Sequence, residues 1–314
     1  MKTCVYLSYS GLGANLLHLS YCHEIAKKLG PITILTLCKN FKDAVENDPL
    51  IKEVIFLDKY TKKFIHIFKL SSVLKRYEFD NIVIYYPSIR LFLAAKLSKI
   101  RNIKIYPLFK KKQLHLVNSA KKLTEKFLKI ENCPTETNFF IKKNDSYNAI
   151  QKNSSDHFKI VIGAGSSGPT TRWGAKNFAH LINKLNNNGK YFFYILCGPN
   201  EKEIEDEIVL NINKNNFLRL SNKSLKDVIP YLCASNLYIG NDSFGSHVTA
   251  QSGIKSLVIL LDSPKSYTDY SKNYHRIIPK GYDINKITHG SNISPNLVKV
   301  EDVYSLIKSL EKTN

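Results

Sequence analysis

Residues 236–253, NLYIGNDSFGSHVTAQSG, bring together the residue types that can bind an anion. A short apolar run leads into side chains that commonly cap helices, then into small residues and an imidazole: Asn241, Asp242, Ser243, Gly245, Ser246 and His247. The first N–H groups of a helix lack internal partners and lie at the positive end of its dipole, so a turn of this kind can hold a phosphate. The alternative is an ordinary capped helix in which His247 is a packed side chain.

A second candidate loop, GAGSSG at residues 163–168, follows another apolar run. It spells the G-x-G-x-x-G pattern. However, the next helical pattern begins only near Ala175, and the following strand ends at Cys197-Gly198, where a ribose-binding acid would be expected. The context therefore favours a phosphate-cradling loop over a dinucleotide site. Its contacts would come from Gly165, Ser166, Ser167, Thr170, Thr171 and Arg172. The alternative is a polar loop whose Trp173 fills the core.

Short apolar runs alternate with helical patterns along the chain, and both loops follow such runs. The first half contains the predicted strands TCVYLSY, ITILTL, EVIFLD, NIVIYY and NIKIYP, with helices predicted over 16–29, 63–76 and 89–97. The second half contains FKIVIGAG, YFFYILCG, FLRLS, LYIGN and SLVILLD, with helices near 175–187, 201–213, 224–234, 244–252 and 301–311. This alternation predicts two α/β domains with mostly parallel sheets, residues 1–150 and 151–314, joined by a polar linker over 144–157.

The composition narrows the class of protein. No apolar run approaches the roughly 18 residues of a membrane-spanning helix, and the N-terminus lacks the features of a secretory signal. The six cysteines are scattered and form no Cys-x-x-Cys pair, so we expect a reduced, cytoplasmic protein without a zinc site.

The net charge of +20 is concentrated in the first half, where 26 basic and 12 acidic side chains give +14. Such a surface attracts anionic partners, or it serves general solubility. No nucleic-acid-binding motif accompanies the charge, so we expect no nucleic acid partner. The other anionic partners expected for such a surface are lipid head groups, through peripheral contact with a membrane surface, and a phosphorylated acceptor.

The segment GNDSFGSHVTAQSGIKSLVIL resembles the signature of the heptosyltransferase-like glycosyltransferases, glycosyltransferase family 9, which is typically Gly-Asn-Asp-Ser/Thr-Gly-Pro-x-His. Residues 163–185, 194–208 and 224–242 resemble further family segments in the same order. The resemblance implies the GT-B architecture, with two Rossmann-like α/β domains facing across a cleft. Residues 1–150 would bind the acceptor and residues 151–314 the nucleotide sugar, and the last helix often crosses back to the first domain. The family's phosphate-binding Lys aligns with Thr171, a departure that leaves Arg172 as the only cation of the loop.

The resemblance also implies roles for individual residues. The donor would be held by the two loops and by Glu201, whose carboxylate would accept hydrogen bonds from ribose hydroxyls; the alternative for Glu201 is a carboxylate favoured by a helix dipole. Family members usually place a catalytic Asp after the glycine of the first strand–helix turn. Here Ala14 or Asn15 occupies that position, and neither is a base. His18, one turn further along, is a substitute candidate, and the alternative is an ordinary helical histidine.

The resemblance implies an inverting glycosyltransferase that needs neither metal nor cofactor. The co-substrate would be a nucleotide diphosphate sugar such as ADP-heptose, and the acceptor a bacterial surface glycan such as the lipopolysaccharide core. The missing Asp leaves open a catalytically silent relative that binds a nucleotide sugar or a glycan. A nucleotide-sugar epimerase of GT-B type is a third interpretation.

Overall fold

The structure, a computed structural model, describes residues 1–57, 63–108, 115–141, 150, 157–185, 189–213 and 216–312. The chain separates into two compact units, Met1–Phe140 and Ile141–Asn314, each described below by itself. Most of the predicted linker over 144–157 lies outside the described residues. Within the described part of the chain, no helix has the length and apolar character needed to cross a membrane.

The first unit is built on a five-stranded parallel sheet in the order β3-β2-β1-β4-β5. Its strands are β1 (Thr3–Leu7), β2 (Ile32–Thr36), β3 (Ile51–Phe56), β4 (Asn81–Ile84) and β5 (Asn102–Ile105). Its helices are α1 (Leu12–Leu16), α2 (Leu19–Leu29), α3 (Phe41–Ala44), α4 (His66–Tyr77), α5 (Ile89–Leu97) and α6 (Leu116–Leu128). The central strands β1, β2 and β4 are buried along their whole length, as expected where helices cover both faces of a parallel sheet.

The second unit is built on a six-stranded parallel sheet in the order β11-β10-β9-β6-β7-β8. Its strands are β6 (Phe158–Gly163), β7 (Tyr191–Leu196), β8 (Phe217–Arg219), β9 (Leu237–Asn241), β10 (Ser256–Ile259) and β11 (Tyr274–Ile277). Its helices are α7 (Ala175–Leu185), α8 (Lys202–Leu210), α9 (Leu225–Cys233), α10 (Phe244–Gln251) and α11 (Val300–Lys312).

Each sheet reverses its strand order beside its first strand. In the first unit the chain fills β1-β2-β3 on one side and then returns to place β4 on the other side of β1. In the second unit β9 returns in the same way to pair with β6. The connections leaving the two strands at such a point diverge and leave a crevice at the carboxyl edge, where ligands of open α/β sheets bind. The second of these edges carries both loops singled out in the sequence.

All ten predicted strands are present, whereas α6, β11 and the short α3 were not predicted. Helix α8 ends at Leu210, three residues before its predicted end, and the last two residues of the helix predicted over 175–187 lie outside the described residues. Helix α11 packs against α7 within the second unit, where Lys184 pairs with Glu301 at 2.9 Å. Its expected crossing to the first domain stays a prediction.

Candidate functional site

The two candidate loops lie side by side because β6 and β9 are neighbours and pair Gly163 with Gly240. The ring of Tyr238 fills the space beneath them. A Cβ built on Gly163 would lie 1.9 Å from the Tyr238 hydroxyl oxygen, and one on Gly245 would lie 2.5 Å from Leu196 Cδ2. A Cβ on Gly240 would lie 2.5 Å from the Gly163 Cα. These glycines are therefore required by close packing of the strand ends.

Asn241, the last residue of β9, joins the two loops. Its side chain is fully buried, and its Nδ2 donates to the Ala164 carbonyl at 2.7 Å while its Oδ1 accepts from the Trp173 backbone N–H at 2.9 Å. Trp173 is also fully buried and donates its indole N–H to the Val298 carbonyl at 2.9 Å. Asn241 was predicted to contact the donor. Its amide holds the loop in place, and Trp173 fills the core as the alternative interpretation expected, while the donor contact of Asn241 stays a prediction.

Arg172 and Glu201 form the charged centre of the site. The Arg172 Nη2 donates to the Glu201 Oε1 at 2.7 Å and to the Ser166 carbonyl at 2.8 Å, while its Nε donates to the same carbonyl at 3.2 Å. The Arg172 side chain is 30% exposed and that of Glu201 is 15% exposed. The Nη1 of Arg172 has no hydrogen-bond partner among the residues that the structure describes. The guanidinium is thus fixed by one edge and presents two further N–H donors.

Glu201 is more heavily engaged than the resemblance implied. In addition to Arg172, it accepts the Ser166 N–H at Oε1 (2.8 Å) and the Gly198 N–H at Oε2 (2.7 Å). A Cβ on Gly165 would lie 2.1 Å from Oε2, so this oxygen rests against the loop backbone. The carboxylate therefore ties the loop after β6 to the turn after β7. One lone pair of Oε2 is left for a ligand, and the predicted contact with ribose hydroxyls stays a prediction.

Three of the four hydroxyl residues of the first loop, Ser166, Thr170 and Thr171, form side-chain hydrogen bonds within the second unit. Thr171 donates its hydroxyl proton to the Gly168 carbonyl at 2.7 Å. In the 2.5 Å hydrogen bond between Ser166 Oγ and Thr171 Oγ1, Ser166 is therefore the donor. Thr170 donates to Asp262 at 2.5 Å, and Asp262 also accepts the Ser291 N–H at 2.7 Å. Ser167 is exposed at the outer side of the loop. The loop is thus held by internal bonds, with Ser167 free to face solvent or a ligand.

Asp242 and His247 form a buried pair at the start of α10. The His247 Nε2 lies 3.3 Å from Asp242 Oδ1, and its Nδ1 lies 2.9 Å from the Tyr270 hydroxyl. The Tyr274 ring stacks on the imidazole, and its hydroxyl donates to Asp242 at 3.1 Å. Burial alone would raise the pKa of Asp242, but hydrogen bonds from His247, Ser263 and Tyr274 outweigh it and hold this pKa below its ordinary value. Asp242 is therefore an ionised, fully oriented carboxylate.

The start of helix α10 has no side-chain cap at its N-cap residue. Ser243 is the N-cap residue of α10 but makes no side-chain cap; its hydroxyl lies 3.2 Å from the Tyr238 hydroxyl, which donates to the Asn241 carbonyl at 2.8 Å. Ser246 is buried and donates to the Ser243 carbonyl at 2.8 Å. Within the part of the chain that the structure describes, no side chain accepts a hydrogen bond from the first N–H groups of α10. Uncapped N–H groups at a helix start suit an anionic ligand.

The two residues predicted for the catalytic site in the first unit, Asn15 and His18, lie in a different environment. Asn15 is fully buried, donates to the Tyr9 and Gly11 carbonyls at 2.9 and 2.7 Å, and accepts from Thr36 Oγ1 at 2.6 Å. These contacts fix the turn after β1 to the end of β2. Asn15 therefore stabilises this turn, and its predicted place in the catalytic site stays a prediction.

His18 is also fully buried. Its Nδ1 lies 2.8 Å from the Ala14 carbonyl and therefore carries the proton, and its Nε2 lies 3.3 Å from the Tyr106 hydroxyl. The ring stacks between Tyr9 and Tyr85, with centroid distances of 5.2 and 5.1 Å. A side chain enclosed in this way does not reach an acceptor hydroxyl, which favours the ordinary-histidine interpretation. Its predicted role as base gains no support from this geometry and stays a prediction.

Several residues of the site were not predicted. Tyr270 and Tyr274 position His247 and Asp242, Tyr238 contacts Ser243, and Asp262 fixes Thr170. The position of Asp262 could have been predicted from the sequence, because it directly follows the apolar run that contains β10 and so lies at the same edge of the sheet. The tyrosines had none, since their role depends on which side chains the fold places opposite them.

Comparison with known proteins agrees with this geometry. The model of the family "Glycosyltransferase family 9 (heptosyltransferase)" matches residues 100–282. Among curated proteins, none matches the sequence. Similar solved structures include the ADP-heptose lipopolysaccharide heptosyltransferase II of E. coli, with 17% identity, a TM-score of 0.68, and coverage of 99% of this chain and 100% of that one.

Two further structures show the same similarity. A family 9 glycosyltransferase from Veillonella parvula DSM 2008 has 18% identity and a TM-score of 0.75, covering 100% of this chain and 98% of that one. The E. coli heptosyltransferase WaaC with ADP has 14% identity and a TM-score of 0.69, covering 98% and 99%. At these identities the similarity shows the fold, and the prediction of two Rossmann-like α/β domains of GT-B type is confirmed. Because the family model covers more than half of its length, the chain belongs to glycosyltransferase family 9, the heptosyltransferase family.

Proposed function

We propose that this glycosyltransferase moves a sugar, of the ADP-heptose class, from a nucleotide diphosphate to a bacterial surface glycan such as the lipopolysaccharide core. The transfer is inverting and needs neither metal nor cofactor, and the enzyme works on the cytoplasmic side of the inner membrane. Family membership supports the class of reaction. The observation that carries the donor assignment is the uncapped helix start of α10 beside the oriented guanidinium of Arg172.

In this proposal the diphosphate of the donor lies between the two loops of the second unit. The first N–H groups of α10 face one phosphate, and the free edge of Arg172 binds the other through its two Nη1 hydrogens. Glu201 is a positioning residue, because it holds the opposite edge of the same guanidinium. Asp242 orients His247 beside the helix start, and Ser167 supplies a solvent-facing hydroxyl.

The reaction places negative charge on the leaving nucleotide diphosphate as the bond to the sugar breaks. Preorganised donors stabilise that charge without having to reorient during the reaction, and such electrostatic stabilisation is often the largest contribution to catalysis. Arg172 and the α10 N–H groups meet this requirement because internal hydrogen bonds already fix their directions. The turn after β1 supplies no carboxylate, since the first acidic residue of the chain is Glu24. No residue is assigned as the base that removes the proton from the acceptor hydroxyl.

A melting-temperature screen against ADP, GDP, UDP and CMP tests the donor assignment, because a ligand that binds the native state raises the melting temperature. We expect ADP to give the largest rise. Release of ADP from ADP-heptose, with and without a lipopolysaccharide-core acceptor, then tests turnover. Replacement Arg172→Ala should lower turnover about 100-fold, the usual cost of removing one preorganised donor to a developing anion.

Lys176 offers a matched control, because it is an exposed cation on α7 of the same unit. Lys176→Ala should leave both ADP binding and turnover unchanged. Equal turnover of the Arg172→Ala variant and the parent would refute the site assignment. Release of a free epimerised sugar from ADP-heptose without an acceptor would identify the protein as an epimerase. ADP binding without any turnover would favour the catalytically silent relative.

A further inference from the structure

The first unit exposes a set of large apolar side chains on two neighbouring helices. At the start of α4, Phe64, Ile65 and Phe68 are 67%, 71% and 71% exposed. On α5, Ile89, Leu93 and Leu97 are 43%, 38% and 46% exposed. The α5 residues are spaced at i, i+4 and i+8, so they form one stripe along the outer side of the helix. We refer to these six side chains as the apolar patch.

The two helices carry the patch on the outer side of one layer. Their inner faces pack on the sheet through Ile67, Leu70 and Leu74 of α4 and through Leu91 and Ala94 of α5. Ser98, which follows α5, donates to the Ser71 carbonyl of α4 at 3.0 Å. Both helices follow strands of one parallel sheet and therefore run in the same direction. This contact consequently places Leu93 and Leu97 level with Phe68, and Ile89 level with Phe64.

Positive charge surrounds the patch. Residues 63–77 and 89–101 contain eight basic side chains and no Asp or Glu: Lys63, Lys69, Lys75, Arg76, Arg90, Lys96, Lys99 and Arg101. Helices α4 and α5 are in contact, and desolvation together with the charges of Lys69, Lys63 and Arg90 lowers the pKa of His66 at the start of α4. A basic rim around exposed aromatic and aliphatic residues is typical of surfaces that lie in the head-group region of a bilayer.

We propose that the apolar patch, with its basic rim, is the surface through which this protein docks onto an anionic lipid bilayer. Phe64, Phe68 and Leu93 enter the boundary between head groups and acyl chains, and Lys69 and Arg90 contact lipid phosphates. A protein partner could match the basic rim with carboxylates. However, we would expect it to bind apolar side chains that line a groove, whereas these six side chains are exposed on the ends and sides of two helices. The inference deepens the proposed function, since a glycolipid acceptor lies at such a surface. The proposed docking can be tested whether or not the protein turns over its sugar donor.

Vesicle co-sedimentation of the full chain tests the proposal. The parent should bind vesicles of phosphatidylglycerol and phosphatidylethanolamine, bind phosphatidylcholine vesicles far more weakly, and lose most binding in 1 M salt, where the Debye length is about 3 Å. Phe68→Ser combined with Leu93→Ser should weaken partitioning at least about tenfold. Lys69→Glu combined with Arg90→Glu should weaken it to a similar extent at low salt. In a third variant, Phe68→Trp, the tryptophan emission should shift to the blue when anionic vesicles are added.

Matched controls come from the second unit. Leu210 is 84% exposed on α8 and Lys176 is exposed on α7, so Leu210→Ser and Lys176→Glu remove an equivalent apolar or basic group away from the patch. Both should bind vesicles like the parent. Absence of parent binding, an equal loss in the controls, or an unshifted Phe68→Trp spectrum would overturn the proposal. A change in mass by light scattering in the patch variants, without lipid, would instead assign the patch to contact between copies of the chain. ADP binding, measured on the same samples, separates failure of docking from failure of the donor site.

Discussion

The two sheets reverse their strand order in the same way, yet their carboxyl edges are built differently. Each edge contains one fully buried asparagine that fixes a turn: Asn15 in the first unit and Asn241 in the second. Around Asn241 the chain places an ion pair, an oriented carboxylate and an uncapped helix start. Around Asn15 it places aromatic rings, with His18 stacked between Tyr9 and Tyr85.

The comparison shows that topology supplies a crevice but not its chemistry. A polar edge with fixed N–H donors suits a phosphorylated ligand. An aromatic edge presents partly exposed rings such as those of Tyr9 and Tyr86, which suit the apolar faces of a sugar. The same parallel sheet can therefore carry two chemically different edges, and the difference lies in the turns.

The largest effect expected from this comparison is on stability, and it comes from turning each asparagine into aspartate. In Asn15→Asp one oxygen keeps the bond from Thr36, but the other would face two carbonyl acceptors, those of Tyr9 and Gly11, at a cost of about 3–5 kcal/mol. In Asn241→Asp one oxygen keeps the Trp173 N–H and the other faces the Ala164 carbonyl, for a smaller cost of about 2–3 kcal/mol. Urea denaturation measures both.

The exposed Asn222 provides the control, and Asn222→Asp should change the free energy of unfolding by less than about 0.5 kcal/mol. If Asn15→Asp were tolerated and raised turnover, the turn after β1 would accept the carboxylate that family members usually place near this position. The aromatic interpretation of this edge would then be wrong.

The sequence predicted the ten strands and the two loops that follow β6 and β9 because their signals are local: apolar runs followed by glycine, capping side chains and hydroxyls. Helix α6 was missed because its apolar positions are interspersed with lysines, and β11 because Tyr274–Ile277 is a short run of polar and aromatic residues. The roles of Asn241 and Glu201 could not be predicted, since each is decided by partners that are distant in sequence. Asn241 lies 68 residues from Trp173, and Glu201 lies 29 residues from Arg172.

A smaller effect is expected at His18, and it tests whether the aromatic edge is structural or catalytic. In His18→Gln the amide can still donate to the Ala14 carbonyl, but the stacking on Tyr9 and Tyr85 is lost, for a cost of about 1–2 kcal/mol. If His18 only positions the turn, turnover should fall less than about tenfold, whereas removal of a general base costs about 100- to 10,000-fold. Release of ADP and ADP affinity, measured together, distinguish the two cases.

His180 lies exposed on α7 and supplies the control, His180→Gln, which should match the parent in both measurements. A fall of 100-fold or more in His18→Gln with unchanged ADP affinity and melting temperature would restore His18 as the base.

The smallest effect concerns pH and the polar edge. The pKa of Asp242 in the folded protein lies below the ordinary value of 3.8, because the hydrogen bonds from His247, Ser263 and Tyr274 outweigh its burial. Its ionised form therefore contributes stability that is complete well above pH 3.8 and is lost as the pH falls through the folded-state pKa. The free energy of unfolding of the parent minus that of Asp242→Asn should be constant between about pH 5 and pH 7. It should then shrink as the pH is lowered through the folded-state pKa. Asp262→Asn should behave with the same sign, since hydrogen bonds from Thr170 and the Ser291 N–H likewise outweigh burial and lower the pKa of Asp262.

If the difference in free energy of unfolding between the parent and Asp242→Asn stayed constant to pH 3, or grew, the hydrogen bonds around Asp242 would not favour its charged form. The polar edge would then lack the oriented carboxylate that distinguishes it from the aromatic one.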